Sequence, residues 1–153
     1  MHSKHDGTIK TRFLDQGDRP NWQVLWNGYL EFYEAELSAH VTEVTWNRFL
    51  DPDEPVFALG AFGHDQLLGI VHFVTHRATW TTSHYVYLED LFTEPKSRGK
   101  GVGEKLVEAV YEEADRIGAA RVYWHTHQTN LVARRLYDRV GHNAGFIQYR
   151  RPA

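Results

Sequence analysis

The chain contains no cysteine. Disulfides, thiolate metal sites and a covalent cysteine intermediate are thereby excluded, and a cytoplasmic location fits without being required. No apolar run approaches the roughly 20 residues that a membrane-spanning helix needs. The N-terminal MHSKHDGTIK is polar where a signal peptide carries its apolar segment, so a soluble chain without a membrane partner is expected. An excess of basic residues is also missing. The 17 Lys and Arg stand against 20 Asp and Glu, a net charge of −3 with His neutral, which argues against a nucleic-acid partner for the chain as a whole. Neither an internal repeat nor a linker interrupts the 153 residues, so one domain over residues 1–153 is expected. A chain of that size buries roughly 70% of its unfolded surface and needs no staples.

What is present is unevenly distributed. Between Asp18 and Asp65 nine acidic residues face two arginines, whereas between Gly118 and Ala153 six arginines face Asp138 alone. Such a division suits a cleft that takes an anionic cofactor from one side and a cationic substrate from the other, and equally suits two solvated faces of opposite sign. Hydrophobic periodicity supplies the elements. Residues 8–14 alternate as a strand, and Asp18 stands where it would cap a helix whose aromatic residues Trp22, Trp26, Tyr29 and Tyr33 recur through NWQVLWNGYLEFYEAEL. That aromatic face suits core packing or a substrate wall.

A second helix is expected from a Thr42 cap through TEVTWNRFLD, followed by a hairpin of residues 57–62 and 67–76 around GHDQ. Residues 85–92 read as the next strand, Leu106 to Ile117 as a helix ended by Gly118, 121–127 as a strand, 129–140 as a helix and AGFIQYRR (144–151) as a closing strand. The order is strand, two helices, three strands, helix, strand, helix, strand. It implies an α+β fold with a mixed, mostly antiparallel central sheet flanked by helices, and excludes a doubly wound sheet.

The chemistry concentrates between His84 and Gly118. Gly99, Gly101 and Gly103 alternate with Lys100 and Val102 directly after Arg98. A backbone this free of Cβ atoms can approach a ligand closely, and the N-terminus of the helix that follows favours phosphate or pyrophosphate. A dinucleotide fingerprint fits poorly, because the third glycine comes one position early and TEPKS separates the turn from the strand. A P-loop is excluded, since no glycine here is followed by Lys and then Ser or Thr. What remains is R-x-x-G-x-G (Arg98, Gly101, Gly103) with N-x-x-A-x-x-L-Y (Asn130, Ala133, Leu136, Tyr137) about thirty residues later.

With those two motifs in this element order, the chain resembles the GNAT superfamily of acyl-CoA N-acyltransferases from about Thr8 to Arg151. The resemblance implies acetyl-CoA as cosubstrate, with its pyrophosphate on Arg98, Gly99, Lys100, Gly101, Val102, Gly103 and Glu104 and its pantetheine arm along Leu91, Phe92 and Thr93. It implies Asn130 and Ala133 beside that arm and Tyr137 near the sulfur. The stretch YLEDLF (87–92) is similar to the polyamine-type and yeast-type small-amine and histone acetyltransferase branch, which places Glu89 at the acceptor amine. Tyr33 and Glu34 from LEFYEAEL, with Trp124 and His125, complete the candidate acceptor site. The resemblance further implies a homodimer. One departure is that the glycine-phenylalanine pair expected soon after the tyrosine helix is delayed to Gly145-Phe146.

The residue types suit the reaction. An alkyl ammonium must lose a proton before its nitrogen can attack a thioester, and Glu89, with Glu34 or His125 sharing the work, can accept it. Tyr137 can protonate the departing thiolate if its ionised form is locally stabilised. Without cysteine, direct transfer is expected rather than an acyl-enzyme. A zinc site from His72, His76, His125 and His127 is conceivable, but histidines satisfied by hydrogen bonds or solvent are the commoner outcome, and no metal is expected. The acceptor is expected to be a small cationic amine, a polyamine, amino acid or similar. Protein lysines or a non-catalytic acyl-CoA-binding module are the alternatives.

Overall fold

The computed structural model describes residues 8–153. The first seven residues, which open the expected domain and the polar N-terminal stretch, lie outside the described part. The elements are β1 (Lys10–Phe13), α1 (Arg19–Phe32), α2 (Ala39–Leu50), β2 (Val56–Gly63), β3 (Gln66–Arg77), β4 (His84–Thr93), α3 (Val102–Ile117), β5 (Arg121–Tyr123) and α4 (Leu131–Val140), with 3-10 turns at Gln16–Asp18 and Pro95–Ser97. Five strands form one sheet in the order β1-β2-β3-β4-β5. The first four are antiparallel neighbours, and β5 joins β4 in parallel. The expected α+β fold with a mixed sheet is therefore present.

Both faces of the sheet are covered. On one, Val71, Phe73, Val86 and Leu88 meet Val102, Leu106, Val107 and Val110, the apolar stripe of α3. On the other, Ala58, Ile70 and Phe92 meet Trp22, Leu25 and Trp26 of α1 and Trp46 of α2. The alternation of β3 explains the division: Ile70 faces the α1 side, Val71 the α3 side, His72 the α1 side, Phe73 the α3 side. The hairpin between β2 and β3 turns on His64 and Asp65, at φ 51° and 63°, the paired left-handed residues of a type I′ turn.

Four boundaries differ from expectation, each for a local reason. Helix α1 stops at Phe32 instead of running to Leu37, because Glu34 takes φ 53° and Ala35 N–H donates to Leu30 C=O at 2.9 Å, a left-handed closure. Helix α2 begins earlier. Ser38, not Thr42, caps it, accepting from Val41 N–H at 3.2 Å, while the buried Thr42 accepts from Trp26 Nε1 at 3.3 Å. Strand β5 ends at Tyr123 because β4 gives it no further pairing. The closing strand does not form: residues 141–153 hold no helix or strand, Gly145 takes φ 86° within an Asn143 side-chain turn, and Phe146, Ile147 and Tyr149 find no apolar face to cover.

Asp18 does not cap α1 through its side chain. Its carboxylate instead receives both Arg12 amino groups, at 2.7 and 3.0 Å, and the Asp15 N–H at 2.7 Å, tying β1 to the entry of α1. The Arg12 hydrogen bond, opposed by desolvation, holds the Asp18 carboxyl below its ordinary range. A depressed carboxyl contributes stability that is complete above the unfolded value near ~3.9 and is lost as pH falls through the lower folded value. Asp18→Asn should therefore lower unfolding free energy by about 1–2 kcal/mol at pH 7. Urea titrations repeated at falling pH should show the gap to wild type closing below about pH 4.

Candidate active site

The site is built on an irregularity of β4. Phe73 of β3 faces Leu88 and the preceding His72 faces Asp90, so Glu89 is an extra residue with no partner on β3. Such a bulge bends its strand and re-aims the side chains beside it. Leu88 remains in the α3-side core, whereas Asp90 turns to the α1 side and there accepts from Tyr29 Oη at 2.7 Å and from His72 Nδ1 at 2.9 Å. Glu89 stays accessible to solvent. Desolvation, then the neighbouring Asp90 charge, push its carboxyl above the ordinary range.

The bulge also opens the sheet. Pairing between β4 and β5 covers Tyr85 to Tyr87 opposite Arg121 to Tyr123 and goes no further. Beyond it Leu88 to Thr93 run on without a partner from β5, leaving main-chain groups at the wall of a wedge. At the end of that wall the chain turns into α3. Gly99 and Gly101 hold φ 79° and 84°, a region that strains residues with a Cβ, and a Cβ on either would meet nothing within 4 Å. The first bond of α3 runs from Lys105 N–H to Gly101 C=O at 3.0 Å, and no side chain caps the helix. The amides of Val102, Gly103 and Glu104 therefore stand at an open helix N-terminus, where an anion is favoured. Arg98 anchors this turn to β4, with Nε donating to Thr93 C=O at 3.0 Å and its guanidinium 5.2 Å from the Phe92 ring centre. Lys100 is exposed.

Tyr29 of α1 and Tyr33, the residue that ends it, pack against each other at 4.8 Å. Packing accounts for the inner part of the aromatic face, and Tyr29 carries its outer part to Asp90. Tyr137 of α4 lies edge-on to Trp124 at 5.6 Å, and burial, then Tyr33, push its phenol up to about 12. The role read from sequence is conditional on a stabilised phenolate, and the surroundings favour the neutral phenol instead. The half-buried phenol keeps its proton.

The remaining candidates divide by face. His125 meets Tyr87, Nδ1 to Oη at 3.4 Å, beside the stacked Tyr87 and Tyr123 rings. Trp124 packs against Tyr111 and Tyr137 and so supports the α3 and α4 side. Asn130 caps α4, accepting from Ala133 N–H at 3.2 Å. Glu104 pairs with Arg139 at 3.3 Å, and Glu34 is exposed at the left-handed closure of α1. Leu91 packs on the α3-side core and Phe92 is buried on the other. Two histidines considered for metal have their ring nitrogens engaged: His72 with Trp22 and Asp90, His76 with Tyr123 and the Arg77 carbonyl. Sequence reasoning missed Asp90 and its link to His72. The signal was the second acid of Leu88-Glu89-Asp90, which strict alternation would have sent to the α3 side.

The profile of the Acetyltransferase (GNAT) family matches residues 22–142, and the chain belongs to that family. It is an acetyl-CoA-dependent acyltransferase. Over 145 residues, 94% of this chain and 90% of the relative, it is 32% identical to the D-amino-acid N-acetyltransferase HPA3 of Saccharomyces cerevisiae. It is 30% identical over 91 residues to the L-ornithine N5-acetyltransferase NATA1 of Arabidopsis thaliana, a match covering 60% of this chain and 40% of that protein. Among solved structures, the fold is shared with a ribosomal-protein-alanine N-acetyltransferase from Brucella melitensis biovar Abortus 2308, at TM-score 0.76 and 19% identity, covering 95% of this chain and 100% of that one. It is also shared with AAC(6')-Iy in complex with a CoA-linked bisubstrate analogue, at TM-score 0.79 and 17% identity, covering 95% and 99%.

Gly101→Ala tests the open turn. The substitution clashes with nothing, so its effect is confined to the left-handed backbone, a cost of about 1 kcal/mol. Isothermal titration should show acetyl-CoA affinity reduced about 5-fold or more with the fold intact by circular dichroism.

Proposed function

We propose that the chain transfers the acetyl group of acetyl-CoA directly to a primary amine of a small cationic metabolite, with Glu89 as general base and Tyr137 as general acid. The observation that carries this reading is the position of Glu89 on the bulge, beside Asp90 and at the apex of the wedge that leads to the open α3 N-terminus. The amides of residues 102–104, with Arg98, Gly99, Lys100 and Gly101, would hold the cofactor's pyrophosphate, and the unpaired edge of Leu91 to Thr93 would run beside its arm. Acetyl-CoA supplies the activated acyl group.

Glu89 then receives the ammonium proton, directly or through water, and its raised proton affinity brings it nearer to that of the amine. Asp90 adds negative charge that favours a cationic acceptor. The protonated Tyr137 can donate toward a departing sulfur. With its phenol near 12 and a thiol near ~8.5, the phenolate must be reprotonated rather than accumulate. His125 and the Tyr87 and Tyr123 rings would line the acceptor's outer end.

The relatives' substrates, D-amino acids, L-ornithine and thialysine, support a small amine of amino-acid type. They do not single out a polyamine. The protein-lysine alternative draws on an open groove of about 570 Å³ lined by Asn27, Leu30, Glu31, Ala35, Glu36, Leu37 and Ser38, acidic enough to take a basic peptide. A location in the cytoplasm, without nucleic-acid or membrane partners, agrees with the composition. A homodimer is supported by the C-terminal segment, whose Phe146, Ile147 and Tyr149 project 86%, 77% and 87% exposed beyond α4.

Release of free CoA, measured across polyamines, D- and L-amino acids, ornithine, aminoglycosides and basic peptides, tests the activity. Saturable turnover with a small amine is expected, and saturable acetyl-CoA binding without turnover on any acceptor would contradict it. Glu89→Gln and Tyr137→Phe should each lower kcat by about 10²-fold or more while acetyl-CoA affinity stays near wild type. Unchanged turnover in either removes that residue's role. Light scattering should give twice the chain mass, and deletion of residues 144–153 should return a monomer.

A further inference from the structure

Four polar side chains on the α1 side form one line. Trp22 and His72 are 0% and 2% exposed. The Trp22 indole N–H donates to His72 Nε2 at 3.0 Å. An indole nitrogen can only donate, so Nε2 carries the lone pair and the ring proton sits on Nδ1. Nδ1–H then donates to Asp90 Oδ2 at 2.9 Å, and Tyr29 Oη–H donates to Asp90 Oδ1 at 2.7 Å. Burial, then Asp90, hold the Tyr29 phenol far above its ordinary range, so Tyr29 remains a donor. Both carboxylate oxygens are thus clamped, one from β3 and one from α1. Asp90 is the residue that closes the bulge, and fixing it fixes the strand path that presents Glu89.

Resting on the reading of Glu89 as base, we propose that Asp90, clamped by His72 and Tyr29, is a positioning residue: it holds the bulge in place and keeps a negative charge beside Glu89. Trp22 fixes the His72 tautomer that the clamp requires. Among the described residues, the titratable groups electrostatically coupled to Glu89 are Tyr87 and Asp90 on β4, His72 on β3 and Tyr29 on α1. Among them the Asp90 charge is the one that favours protonation of Glu89. A merely structural network would satisfy the same buried polar groups and leave the titration of Glu89 alone.

The experiment is the pH profile of kcat, with one acceptor and saturating acetyl-CoA, for wild type, Asp90→Asn, Tyr29→Phe and Glu89→Gln. Asp90→Asn should move the acid limb down by about one pH unit and lower kcat. Tyr29→Phe, which keeps the ring and removes one donor, should move it in the same direction by less and lower kcat about 10-fold, with the KM for acetyl-CoA unchanged. If Asp90→Asn fails to fold, Tyr29→Phe carries the test. A limb that stays in place in a folded variant overturns the proposal, whatever happens to kcat. Glu89→Gln separates the two levels: an acid limb that disappears in this variant supports Glu89 as the titrating base. A limb that persists there overturns the base reading, and the proposal with it.

Discussion

The hydrogen bonds that converge on Asp90 tie side chains of three elements to one carboxylate: His72 of β3 and Tyr29 of α1 both donate to Asp90 of β4. A buried imidazole and a largely buried carboxylate are costly unless every polar atom finds a partner, and here the partners belong to different elements. The bulge in β4 is the backbone expression of that convergence. Without an extra residue at Glu89, strict alternation would place Asp90 in the apolar layer against α3. One local constraint thus decides where the strand bends, which carboxylates face the cleft and where β5 must part from β4.

The wedge and the open helix end follow from the same bend. Because β4 leaves β5 after Tyr87, its last six residues present main-chain groups to a wedge, and the glycine turn sets the open end of α3 at the wedge's rim. An anion is favoured there by the helix end, and a cation by Glu89 and Asp90. Tyr137 arrives from α4, carried by the packing of Trp124 on the α3 side. Its high phenol value means that it is stocked with a proton and reluctant to lose it.

Parts of this are legible in the chain because their causes are local. The periodicity of α3, the glycine turn before it, Gly118 after it and the turn at His64-Asp65 depend on neighbouring residues, and the structure has them where the sequence puts them. The end of α1 is not legible, because a glutamate rather than a glycine takes the left-handed position at residue 34. Nor is the fate of residues 144–151, whose strand-like composition finds no face to bury on within its own chain. Asp90 escapes a reading of the sequence because its partners lie 18 and 61 residues away. The environment of Tyr137 is not legible either, since the desolvation, the Tyr33 field and the Trp124 contact that act on it bring together three distant segments.

A crystal structure of the protein with a CoA-linked adduct of a turned-over amine tests the central claim most directly, because it fixes both approaches to the site at once. The account predicts the pyrophosphate against the amides of residues 102–104 and the acceptor nitrogen within about 3.2 Å of Glu89, directly or through one water. An acceptor nitrogen directed away from the β4 bulge, with Glu89 left in solvent, would contradict it.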